Sequence, residues 1–169
     1  MTEKMVEFPL LSEDQIEVRV STVSEKGCSL LLYKDARCDM NILDAVVGSE
    51  NWQRKHYECK GNLFCSVGIF TNSNWIWKDD CGTESFTEKQ KGEASDSFKR
   101  ACFNWGIGRE LYTSPFIWVP AEKVKIVDRN GKKSTYDRFS VEKIAYEGKQ
   151  VSGLSIKNQD GKRVFVWQK

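Results

Sequence analysis

Hydrophobic and polar positions change period several times along this 169-residue chain. From Ser12 to Val18, Ser12 is followed three residues later by Gln15, a pattern that opens a short capped helix. Ser29 to Tyr33 is a strand-like apolar run. Within Asp39 to Val47, Met40, Leu43, Val46 and Val47 fall at helical spacing, and Gly48 follows as a stop signal. Trp52 to Cys59 and Leu63 to Phe70 read as strands around Lys60-Gly61-Asn62, a hairpin turn. Trp75 to Lys78 reads as a third strand, Phe86 closes a fourth, and a long helix is predicted from Glu88 to Leu111. After residue 115 the pattern turns to short strands: Phe116 to Pro120, Val124 to Val127, Phe139 to Tyr146, Gly153 to Ile156 and Val164 to Trp167. Asn130-Gly131 and Asp160-Gly161 supply turns between them. The expected fold class is α+β: an antiparallel meander covered by one long helix, with a β-rich C-terminal extension packed on that core.

The stretch Gly92 to Arg109 carries the most information. Successive helical residues rotate by about 100°, which gathers Ala94, Phe98, Ala101, Cys102 and Trp105 on one arc as the expected buried face. Lys99, Phe103 and Arg100 fall on the opposite side, with the ring between the two cations. Cations attract phosphates and a bared ring stacks on a base, so this face suits single-stranded nucleic acid. A solvated charged face with one stray aromatic is the plainer reading of the same wheel.

Composition narrows the classes. The length fits one domain, or one domain with an extension, and is enough to bury a core. No stretch approaches the roughly 20 apolar residues that span a bilayer. The start, MTEKMVEFPLL, has no signal-peptide pattern, so an intracellular protein with no membrane partner is expected. Six cysteines form no CxxC pair and there is one histidine, His56, so reduced thiols packed as small core residues are expected and no metal site. The net charge is +2, but residues 1 to 120 hold 14 Lys/Arg against 18 Asp/Glu, and residues 121 to 169 hold 12 against 6. A basic C-terminal part adds affinity for polyanions, or simply protects strand edges.

With these elements in place, the chain resembles the Rad52 family, and within it the short phage and prophage single-strand annealing proteins. The residues that carry the likeness are Tyr33-Lys34-Asp35-Ala36-Arg37, a helix ending at Gly48, Asn51-Trp52, three strands, and Glu93-Ala94-Ser95-Asp96-Ser97-Phe98-Lys99-Arg100-Ala101 before Gly106. The resemblance covers residues 28 to 115 as a β-β-β-α single-strand-binding core, leaving 1 to 27 as an N-terminal segment and 116 to 169 as the extension. It implies a homo-oligomeric ring that holds single-stranded DNA in an outer groove with the bases exposed. Such a ring anneals complementary strands without ATP, in recombination and DNA repair, and works beside a phage exonuclease or a single-strand-binding protein. Lys99 and Arg100 match the Lys-Arg pair of the family's groove, Tyr33 an aromatic of the same groove, and Arg37 a nearby basic position. Phe103 departs from the pattern, because the longer eukaryotic members carry an arginine there.

The function needs no cofactor and no catalytic residue. Lysine and arginine neutralise two repelling backbones, and base pairing supplies the specificity. Gln53-Arg54-Lys55-His56 adds either a basic strand edge or a second DNA contact at Arg54 and Lys55. Trp75 and Trp77 share one strand face, as core, subunit interface or base platform. Arg109 and Glu110 read as a surface pair at the helix end. Two alternatives remain. One is a general double- or single-stranded RNA-binding module, since fold alone does not choose. The other is a metal-dependent nuclease using Asp79, Asp80, Glu84, Glu93 and Asp96, with Asp160-Gly161-Lys162 better read as a turn. No GxxxxGK[ST] phosphate loop is present, which removes a nucleotide-driven motor.

Overall fold

A computed structural model describes residues 5–83 and 89–169. It is mixed α+β with two α-helices and antiparallel strand pairing among those residues. The strand expected at Phe86 lies outside them. The chain divides into two compact units, residues 5–10 with 34–109, and residues 11–33 with 110–169.

The first unit holds α1 (Ala36–Val47), β3 (Trp52–Cys59), β4 (Asn62–Thr71), β5 (Asn74–Cys81) and α2 (Lys89–Asn104). Asp35 caps α1 by accepting the Cys38 N–H at 2.7 Å, so the helix begins one turn before the expected Asp39. The three strands form the expected meander in the order β3-β4-β5. Its turns are two residues long, Lys60-Gly61 and Asn72-Ser73, with all four φ angles between 50° and 76°, as a type I′ hairpin requires. α2 packs across β4 and β5. Cys65, Val67 and Ile69, alternating on one face of β4, are fully buried, as are Phe98, Ala101 and Cys102 of α2.

α2 ends at Asn104 and does not continue to Leu111. The Gly106 N–H bonds the Phe103 carbonyl, the Ile107 N–H bonds the Cys102 carbonyl, and Gly106 sits at φ 95°, which is a Schellman stop. Arg109 completes the stop by donating to the carbonyls of Phe103 and Asn104 at 2.9 and 2.8 Å. The expected Arg109–Glu110 surface pair does not form. Glu110 is buried in the second unit and accepts the Leu11 N–H at 2.7 Å.

The second unit is built on a six-stranded antiparallel sheet, β11-β10-β9-β1-β2-β6. Its strands are β1 (Glu17–Ser24), β2 (Gly27–Tyr33), β6 (Ile117–Pro120), β9 (Phe139–Glu147), β10 (Gln150–Asn158) and β11 (Arg163–Gln168). β7 (Val127–Arg129) and β8 (Lys132–Ser134) form a separate hairpin around Asn130-Gly131. Two sequence expectations are corrected here. The helix at Ser12 to Val18 is only a 3-10 turn, Glu13–Gln15, and β1 follows at once because Val18, Val20 and Thr22 alternate as β-branched residues. The strand expected at Val124 to Val127 begins only at Val127, and residues 121–123 form another 3-10 turn. β2 pairs with β1 and β6, so the apolar run Ser29 to Tyr33 is a strand of this sheet.

Across β9, β10 and β11, Glu142 takes a fork from Arg163, Nε at 2.6 Å and a terminal nitrogen at 2.9 Å, and a third bond from Ser155. The Arg163 guanidinium and these bonds hold the Glu142 carboxyl down at about 2, from an ordinary 4.5. An acid held below its unfolded value stabilises the fold above that value and loses its contribution as pH falls through the folded one. Thermal melts between pH 4.5 and 2 should therefore show a steeper loss for the native chain than for Glu142→Gln.

None of the six cysteines is in a disulfide. Cys28, Cys65 and Cys102 are buried, and burial holds the Cys28 and Cys65 thiols up at about 11. No helix among the described residues is long and apolar enough to cross a membrane.

Candidate nucleic-acid interface

Lys99, Arg100 and Phe103 lie along α2 away from its buried arc, as the wheel predicted, but none is bared. All three are half-buried. At Phe103 and Lys99 part of the cover is Lys34. Lys34 is itself buried, and its ammonium stands 4.1 Å above the Phe103 ring. It donates to both carboxylate oxygens of the fully buried Asp39 at 2.6 Å and to the Lys99 carbonyl at 3.1 Å. These three acceptors use all three ammonium donors. Burial pushes the Asp39 carboxyl up to about 6, against the pull of Lys34. The side of α2 expected to be open is thus partly covered by residue 34 and α1, and Phe103 is a ring already engaged by a cation.

Arg100 donates from Nε to Asp96 one helical turn earlier, at 2.9 Å. Asp96 also accepts the Thr83 N–H at 2.9 Å and the Thr83 hydroxyl. Burial raises the Asp96 carboxyl, but these bonds outweigh it and hold it below the usual carboxylate range. Arg37 projects from the first turn of α1 with its side chain 86% exposed, 3.8 Å from Asp35.

The other expected contacts belong to other elements of the chain. Tyr33 ends β2 in the second unit, with the Arg19 guanidinium 4.9 Å from its ring centre. Arg54 and Lys55 alternate on β3, so they take opposite faces of the meander. Arg54 lies on the helix side, 4.7 Å over the Phe98 ring, which also stacks on Trp52. His56 follows on that side with Nδ1 3.4 Å from the Ser97 hydroxyl, and burial with the neighbouring Arg54 lowers its pKa. Lys55 lies on the open side, 4.4 Å over the Trp77 ring.

The carboxylates offered for a nuclease are engaged in the fold. Asp79 accepts from Tyr57 and Ser66, Glu93 accepts the Leu63 N–H, and Asp80 accepts from Asn104 and the Cys81 N–H. Asp79 and Asp80 are consecutive on β5 and so address opposite faces of the sheet. Glu84 lies outside the described residues. Among those residues no group of three His, Cys, Asp or Glu side chains is placed to hold a metal ion.

Sequence reasoning missed the buried Lys34–Asp39 pair. Its only signal was a lysine and an aspartate five residues apart across a helix start, which composition treats as two surface charges. No family model matches the chain, no curated protein matches its sequence, and no solved structure matches it.

Proposed function

We propose that this chain binds single-stranded DNA and anneals complementary strands without ATP, acting as a Rad52-like homo-oligomeric ring in recombination and repair. The observation that supports this reading most is the element order of the first unit. An antiparallel three-strand meander is followed in the chain by a helix that packs across it and carries Lys99 and Arg100 beside its buried arc. Arg37 adds an outward cation on α1. A row of such cations neutralises phosphates without reading bases, which leaves the bases available for pairing.

The test is an annealing assay with two complementary fluorescent oligonucleotides and no nucleotide cofactor. Annealing should run well above the spontaneous rate at low salt and decline steeply as salt rises, since each neutralised phosphate of a single strand contributes about 0.7 to the salt slope. Pairing no faster than in buffer would remove the reading.

A further inference from the structure

The face of the meander that α2 does not cover is built from alternate residues of three strands. In register these are Tyr57, Phe64 and Cys81, then Lys55, Ser66 and Asp79, then Gln53, Gly68 and Trp77, with Phe70 beside Trp75 at the end. Tyr57, Phe70 and Trp75 remain 42%, 43% and 39% exposed.

The rings on this face lie along it. Tyr57 on β3 donates its hydroxyl to Asp79 on β5 at 2.7 Å. β3 and β5 are two strand spacings apart, roughly 10 Å, and a phenol covers that span only by lying flat over β4. It does so in parallel with Phe64, with ring centres 5.4 Å apart at 18°. Asp79, the acid on this face, is held by that bond and by Ser66. Trp77 also lies flat, for a different reason. Its partner on β4 is Gly68, and a Cβ there would stand 2.7 Å from the indole, so the ring rests on bare backbone. Trp75 continues the layer, its ring 5.9 Å from that of Trp77 and within 29° of parallel to it. The Lys55 ammonium caps the outer face of Trp77.

We infer that this face is a second single-strand site, distinct from the α2 side, where bases stack on the flat rings of Tyr57 and Trp75 and Lys55 takes a phosphate. The inference rests on the single-strand-binding reading above. Flat rings with outward π-faces beside a cation on an edge strand match a polyanion with unpaired bases. Moving Lys55 from Trp77 to a phosphate uncovers one more ring for a base, so a cation–π contact in the unbound chain is exchanged for stacking and an ion pair.

The experiment uses the full chain with an oligo-dT in which 5-iododeoxyuridine replaces some thymidines, photocrosslinked and mapped to peptides. Crosslinks at Tyr57 or Trp75 are expected. Tyr57→Ala and Trp75→Ala should each weaken binding by about tenfold or more, with the oligomer size unchanged, and Lys55→Ala should lower the salt slope by about 0.7. Crosslinks confined to α2, with both variants binding like the native chain, overturn this site and leave the annealing reading standing. Oligomer size lost with DNA affinity retained also overturns it, making the face a contact between copies. A native chain that binds no oligo-dT removes both readings together. If a variant unfolds, the crosslinks on the native chain decide.

Discussion

Asp39→Ala is expected to destabilise the first unit by about 3–5 kcal/mol, measured as a shift in the urea midpoint at neutral pH. Lys34 and Asp39 are both buried, and their attraction offsets only part of the cost of removing two charges from water. The raised Asp39 pKa has the same origin, because desolvation exceeds the pull of the ammonium. Removing one partner leaves a buried charge without its counter-ion, which is the expensive case. Replacing both, with Lys34→Met and Asp39→Leu, should recover most of the loss, because the pair contributes geometry more than net stability. The pH dependence has a definite sign. A carboxyl whose folded value lies above its unfolded one binds its proton more tightly when folded, so stability from this group falls as pH rises from about 4 to about 6. Asp39→Asn should lose that segment of the profile. An Asp39→Ala variant as stable as the native chain would mean that the pair does not hold α1 to α2.

Lys99→Ala combined with Arg100→Ala is expected to weaken binding to oligo-dT severely, read as a fall in fluorescence anisotropy at low salt, with the fold retained. Arg100 makes a half-exposed bond to Asp96 one turn away, and pairs of this kind contribute only about 0.3–0.5 kcal/mol. Lys99 joins the buried network through its backbone carbonyl, which alanine keeps. Binding should suffer far more than folding, since two phosphate contacts per protomer repeat around an oligomer and their loss lowers the salt slope by about 1.4 per protomer. Unfolding of this double variant would instead make the two cations structural.

Much of the first unit was legible because its signals are local. Trp52 to Cys59, a turn at Lys60-Gly61-Asn62 and the Gly48 stop each declare themselves within a few residues, although Asn62 already belongs to β4. The start of α1 at Asp35 and the stop of α2 at Gly106 depend on caps, and periodicity carried both helices past or short of them. β1 was hidden because Ser12 and Gln15 do make a capped turn, but one that ends after Gln15. At the site, the wheel separated Phe98, Ala101 and Cys102 from Lys99, Arg100 and Phe103 correctly, because burial follows the helical period. It could not see Lys34 above Phe103, since that contact joins residues 69 positions apart. The flat aromatic layer was hidden for the same reason. Trp75 and Trp77 are visible at period two, but Tyr57 reaching Asp79 and Gly68 beneath Trp77 require the strand register.

The proposed oligomer grips single strands by their phosphates. Size-exclusion chromatography with light scattering, run with and without oligo-dT at low and high salt, tests it most directly. One large, narrow oligomer that carries oligo-dT at low salt and releases it at high salt is the expected result. A stable monomer that elutes unchanged beside unbound oligo-dT would contradict it.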